Sequence, residues 1–233
     1  MRGQTEALEH QHIVRAFDEE LARLTSAIVE MGGLAERQVA DAVRALSERD
    51  VELAARVIQT DRQVDALEEQ IDQDVIKLLA LRQPMAIDLR LIAMALKISN
   101  DLERMSDYAV SIAKRSQRLT DQAELKPLQH IPRIGQACLA MVKDVLDAYV
   151  ERDADKAGAV WHRDKEVDEQ YTSLFRELVT YMLEDPRTIS TCIDLLFIAK
   201  NLERIADHAT NIAEKIVFII HGTEINRPRH EVE

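Results

Sequence analysis

The stretch Asn201-Leu202-Glu203-Arg204-Ile205-Ala206-Asp207 repeats Asp101-Leu102-Glu103-Arg104-Met105-Ser106-Asp107 at an offset of 100 residues. Reading outward, the correspondence continues. Pro84 pairs with Pro186, and Asp61-Arg62-Gln63-Val64-Asp65 pairs with Asp164-Lys165-Glu166-Val167-Asp168. Glu48-Arg49-Asp50 pairs with Glu151-Arg152-Asp153, and Met31-Gly32 with Ile134-Gly135. The offset drifts from 103 to 100, and all of the slip falls around the prolines, where a small insertion costs least. The chain is therefore a duplication of one unit about 100 residues long, too few copies for a solenoid.

Each unit reads as helices. Leu21, Leu24, Ile28, Met31 and Ala35 form one stripe. Val57, Val64, Leu67, Ile71 and Leu78 form a second, and Ile92, Leu96, Leu102, Met105, Ala109 and Ile112 a third. Spacings of three and four put each set on one helix face. The breaks are few. Ser47 to Asp50 turns the chain, with Asp50 as N-cap. Pro84 ends the second helix near Arg82. Leu119 to Pro132 is a polar linker, and Glu151-Arg152-Asp153 and Pro186 break the second half. The polar tail after Gly222 is expected to fray. The fold expected is all-α: two tandem, similar three-helix bundles of six long antiparallel helices. The first bundle spans residues 1–119, the linker 120–132, and the second bundle 133–233. Narrow apolar stripes with charged opposite faces favour elongated, coiled-coil-like packing.

Composition narrows the function. With 6 Gly and 5 Pro among 233 residues, there is little turn chemistry for a β fold. A formal charge of −12 argues against a nucleic-acid partner. No apolar run is long enough to span a bilayer, and the N-terminus lacks a signal-peptide core. Cys138 and Cys192 sit among apolar helical residues and read as buried, reduced thiols. A cytoplasmic location is the default that follows.

The repeated acids are the candidate site. In each unit the second helix carries Asp-x-x-x-Asp and the third Glu-x-x-x-Asp, spacings that stack two carboxylates on one face. Such pairs arise freely on charged helices. These four recur in both repeats and stand at matching heights from the proline turn. Asp61 and Asp65 centre 21 residues before Pro84, and Glu103 and Asp107 centre 21 after it. Around Pro186, the distances to Asp164/Asp168 and Glu203/Asp207 are 20 and 19. If the faces meet, four carboxylates converge in each bundle, and their repulsion raises some pKa values. Arg104 and Arg204 could pair with them. A hard oxygen-seeking cation (Mg, Mn, Ca or Fe) would offset the charge better, and adventitious Zn or Ni could also bind. The other reading is a purely electrostatic or partner-binding surface. Asn211 and Glu214 extend the second stripe, where the first has Ser111 and Lys114.

Other motifs carry little. Glu9 and His12 form a lone Glu-x-x-His, not a di-iron pattern. His208 lies about 140° round the helix from Glu203 and reads as a flank residue. Trp161 reads as a packing residue. Phosphate loops, nucleophile elbows and zinc-protease histidine pairs are absent from the sequence, so no catalytic residue is assigned.

The segments Asp101 to Asp107 and Asn201 to Glu214 resemble the PhoU family of phosphate-signalling proteins, and the resemblance extends over residues 13 to 220. Tyr108 and Ser111 are departures in the first copy. The resemblance implies two three-helix bundles whose (E/D)-x-x-x-D motifs bind metal clusters in some members. Those roles carry over to Asp61, Asp65, Glu103, Asp107, Asp164, Asp168, Glu203 and Asp207. It also implies a non-enzymatic regulator of the high-affinity phosphate ABC transporter, through its ATPase subunit, and of the associated sensor histidine kinase. Such a regulator holds the phosphate-starvation response off, acts peripherally at the inner membrane face, and forms a homodimer. Two alternatives from the residues alone are a carboxylate-cluster metal enzyme or store, and a chaperone-like helical bundle.

Overall fold

The computed structural model describes the backbone of residues 2–123 and 125–223, and side chains from residue 16 onward over the same span. Among these residues there are six α-helices: α1 Arg2–Glu48, α2 Val51–Arg82, α3 Ala86–Leu119, α4 Ile131–Glu151, α5 Ala154–Glu184 and α6 Ile189–His221. Two 3-10 turns, Lys126–His130 and Pro186–Thr188, complete the path. The expected all-α architecture is present: α1–α3 and α4–α6 form two three-helix bundles in tandem.

The helix breaks follow local chemistry. Asp50 accepts a hydrogen bond from the Leu53 amide at 2.8 Å, and Asp153 accepts from the Asp155 and Lys156 amides at 2.9 Å. These two N-caps satisfy orphan donors at equivalent places in the repeats. The preceding residues, Arg49 and Arg152, take left-handed φ of 55° and 53°, so even the turn geometry is duplicated. The proline turns differ. Gln83 and Ala86 both have positive φ around Pro84, whereas Asp185 is extended and accepts from the Arg187 amide. The expected linker, 120–132, carries secondary structure of its own. It winds into the 3-10 turn, and α4 begins at Ile131 with Pro132 in its first turn, where a missing amide proton costs nothing.

The predicted stripes are the core. Leu24, Ile28, Met31, Ala35, Val57, Val64, Ile71 and Leu78 are buried, as are Ile92, Leu102, Met105, Ala109 and Ile112, while Leu21, Leu67 and Leu96 pack at its edge. Cys138 and Cys192 are buried free thiols. Trp161 is only half-buried and meets His162 edge-on. The side chains of Glu9 and His12, and residues 224–233 of the tail, lie outside the described residues.

One hydrophobic core runs through both repeats. Helices α1, α3, α4 and α6 pack across the repeat boundary, and α2 and α5 cover the two flanks. The α1–α4 crossing depends on glycine. A Cβ on Gly32 would run into the Leu146 methyls, and one on Gly135 would sit 2.9 Å from Val43 Cγ2. Gly32 and Gly135 are repeat equivalents, as are Val43 and Leu146, so a local two-fold relates the contacts. Helices α3 and α6 run antiparallel. Arg90 Nε donates to the Ile219 carbonyl at one end, and Arg115 and Arg118 grip Asp194 at 2.7 and 2.5 Å at the other.

Candidate functional site: two carboxylate clusters

The hairpins α2–α3 and α5–α6 bring the repeated acids together in pairs. In the first bundle, Asp65 is raised in pKa by desolvation and then by Asp61 and Asp107. Glu103 is pushed up to about 7, by burial first, then by Asp107 and Glu68, against the lowering effect of Arg104. Arg104 lies 3.5 Å from Glu103 Oε2 and 3.2 Å from Asp107 Oδ2. Glu68, absent from the sequence expectation, joins this cluster and is raised by burial and Asp72. It sits one turn beyond Asp65, and Asp65/Glu68 spacing was the available signal.

The second cluster is deeper. Asp164 is pushed up to about 7 by burial, then by Asp168, Asp207 and Glu203. Asp207 is pushed up to about 6 by burial, Glu203 and Asp168, opposed by Lys200 and His208. Lys200 Nζ pairs with Glu203 Oε1 at 2.6 Å. The remaining Glu203 oxygen and Asp164 Oδ1 are buried without a hydrogen-bond partner, whereas Glu103 Oε2 in the first cluster has only the long ion pair with Arg104. Buried acceptors left unmade each cost about 1–3 kcal/mol. Asp65 and Asp168 are the exposed members of their sets.

Neighbouring groups were only partly legible. Arg204 does not pair with the acids. Its guanidinium lies 5.7 Å from the Tyr108 ring centre in the other repeat, because the α3–α6 seam presents an aromatic face there. His208 also turns across the seam, with Nδ1 2.8 Å from Asp101 Oδ1, and Lys215 Nζ lies 2.6 Å from Asp101 Oδ2. Asn201 donates to Ser111 Oγ at 2.9 Å. Asp101 and Asn201 therefore join the repeats. Beneath the first cluster lies a polar pair the sequence reading missed. Ser106 Oγ is 2.7 Å from both Gln38 Oε1 and Asp61 Oδ1, and its single proton serves one of them. Gln38 is 1% exposed and donates to the Val57 carbonyl. Its place on the Ala35–Ala42 stripe was the signal. The second repeat has Met141 and Ala206 at these positions, and Cys138 Sγ donates to the Leu202 carbonyl nearby.

The donor chemistry of both clusters is that of a hard-cation site, all oxygen and partly orphaned. The side-chain placement is not. Among the described residues, no three His, Cys, Asp or Glu side chains are arranged to hold one metal ion together. Arg104 already engages Glu103 and Asp107, and Lys200 engages Glu203.

Comparison with known proteins places the chain. The PhoU domain family matches residues 28–116 and 131–216, one match per repeat. A phosphate-specific transport system accessory protein PhoU homolog of Caulobacter vibrioides is 50% identical over 224 residues, covering 96% of this chain and 97% of the relative. Its Pseudomonas aeruginosa counterpart is 42% identical, covering 98% of this chain and 96% of the relative. The crystal structure of PhoU from Pseudomonas aeruginosa superposes with a TM-score of 0.87 at 43% identity, covering 89% of this chain and all of that one. The phosphate transport system regulatory protein PhoU from Streptococcus pneumoniae superposes at 0.84 with 29% identity, covering 91% of this chain and all of that one. The duplicated motif, the two hairpin clusters and the full-length matches agree, and the chain belongs to the PhoU family.

Proposed function

We propose that this protein is a non-enzymatic accessory regulator of phosphate-specific transport. It docks on the ATPase subunit of the phosphate ABC transporter and on its sensor histidine kinase, and holds the phosphate-starvation response off when phosphate is plentiful. The observation that carries this reading is the match, over nearly the whole chain, to accessory proteins of that system. Long charged helix faces on α2 and α5 suit a protein whose work is contact. No helix among the described residues is long and apolar enough to cross a membrane, which fits a peripheral role at the cytoplasmic face. A homodimer would present these faces twice. The test is binding of the purified chain to both partners, with a phosphate-responsive reporter in a deletion strain. Absence of binding together with an unchanged reporter would sink the proposal.

A second reading concerns the clusters. Asp61, Asp65, Glu103 and Asp107, and Asp164, Asp168, Glu203 and Asp207, bind divalent or ferric cations (Mg, Mn, Fe or Zn). The orphaned buried oxygens of Asp164 and Glu203 favour it. The clusters lack a preformed site, so binding requires Arg104 and Lys200 to swing aside. Elemental analysis of wild type against Glu203→Gln/Asp207→Asn decides. Equal metal content in the two would end this reading without touching the regulatory one.

A further inference from the structure

A cavity of about 560 Å³ lies away from the carboxylates, between the repeats. Leu21 and Thr25 of α1, Leu91 of α3, Tyr149 of α4, and Ile216 and Ile219 of α6 line it. The local two-fold puts a twin cleft at the opposite end of the α3–α6 seam. The correspondence runs residue by residue: Leu46 stands for Tyr149, Arg49 for Arg152, Ser116 for Ile216 and Leu119 for Ile219. The twin has only about 10 Å³ of free space. The chain itself closes it. The 3-10 turn before α4 brings Leu125 and Leu128 onto the core.

In the open cleft the equivalent positions are Ala22 and Thr25, and α1 runs straight past as helix. The open cleft therefore lacks two leucines and a turn, and the closed one displays the shape of what is missing. A second observation points the same way. Tyr149 is 6% exposed, and its hydroxyl makes no hydrogen bond of good geometry, although Thr25 stands beside it. Burial pushes its pKa up to about 12 against the lowering effects of Thr25 and Arg152, so it is a neutral donor with room for a better-aligned acceptor. The cleft also carries two acids, Asp18 and Asp88, against one base, Arg152. The turn that fills the twin has Lys126 between its leucines.

We infer that this cleft docks a turn of another polypeptide, bearing two leucine-like side chains three residues apart with a basic residue between them. The leucines fill the space taken by Leu125 and Leu128 in the twin. The Tyr149 hydroxyl donates a hydrogen bond to an acceptor on the turn, and the basic group faces Asp18 and Asp88. The inference rests on the regulatory reading only in needing a second polypeptide in the cell.

The probe is a labelled synthetic peptide with the sequence of residues 121–132, titrated into the full chain by fluorescence anisotropy. Saturable binding is expected, lost when both leucines of the peptide are replaced by serine. Ala22→Leu/Thr25→Leu rebuilds the twin's plug on an exposed and a half-buried helix position, and is expected to weaken binding by about tenfold or more. Tyr149→Phe keeps the ring, removes only the hydroxyl, and is expected to weaken binding by about two- to tenfold. No binding to wild type overturns the inference. So does binding indifferent to the α1 variant in a protein with an unchanged thermal midpoint, since the peptide is then elsewhere. Binding that appears only after deletion of residues 224–233 also overturns it, giving the cleft to the chain's own C-terminal residues. None of these outcomes bears on whether the transporter and kinase bind, so the regulatory reading stands or falls separately.

Discussion

Cation-free protein is expected to lose stability as pH rises from about 5 to about 7.5, the reverse of ordinary acid denaturation. Glu103 and Asp164 are pushed up to about 7 and Asp207 to about 6, each by burial first and by neighbouring carboxylates next. Unfolded, these groups titrate at about 4. A carboxyl whose folded pKa is raised holds its proton more tightly in the folded state. Its contribution is complete below pH about 4 and disappears as pH climbs through about 6 to 7. Carboxylates held low by arginine, Glu20, Asp185 and Asp194, have the opposite slope, but act below their ordinary values and outside this window. An insulated Asp164 would account for about 4 kcal/mol, at 1.36 kcal/mol per pH unit of displacement. Asp164 is half-buried and shares its repulsion with three neighbours, so about 1–2 kcal/mol is the expected effect after solvent screening. Asp164→Asn removes that repulsion. In a chain of this size the thermal midpoint at about pH 7.5 should rise by roughly 2–8 °C, with little change at about pH 5. Calorimetry of chelator-treated protein at constant ionic strength reads both effects. Wild type as stable at the higher pH as at the lower, or an Asp164→Asn midpoint below wild type, would refute the electrostatic reasoning.

Other outcomes follow from packing and turns. Gly158→Ala meets nothing within 4 Å and should gain about 1 kcal/mol of helix propensity. Gly135→Ala drives a methyl against stiff Val43, and should lower stability by about 1–3 kcal/mol in matched urea melts. Asp194→Ala strands Arg115, a partly buried guanidinium, and should cost about 1–2 kcal/mol and raise amide exchange along the α3–α6 seam. Gln83→Gly relieves a left-handed non-glycine residue (φ 48°) and should raise the thermal midpoint by the equivalent of about 1 kcal/mol.

Helices, breaks and duplication were legible because each rests on near neighbours. A 3.6 period is a property of one face, an Asp N-cap of four consecutive residues, and a repeat of the text itself. The two tetrads were legible for a similar reason: a hairpin with a short turn converts distance from Pro84 or Pro186 into height. Arg204, His208 and Lys215 were not, because their partners lie in the other repeat and nothing local encodes the α3–α6 register.

What the sequence alone determined is the number of helices, their stripes, the two-fold content and which acids share a hairpin. Tertiary structure decided the rest. Docking the repeats through glycine-lined crossings fused two bundles into one core. It spent Asp101 and Asn201 on the seam, buried some carboxylate oxygens without partners, and closed one inter-repeat cleft while leaving its twin open. The physical reason is that desolvation, orphaned polar atoms and cavities are set by what packs against a residue from across the molecule. Sequence neighbours cannot specify that.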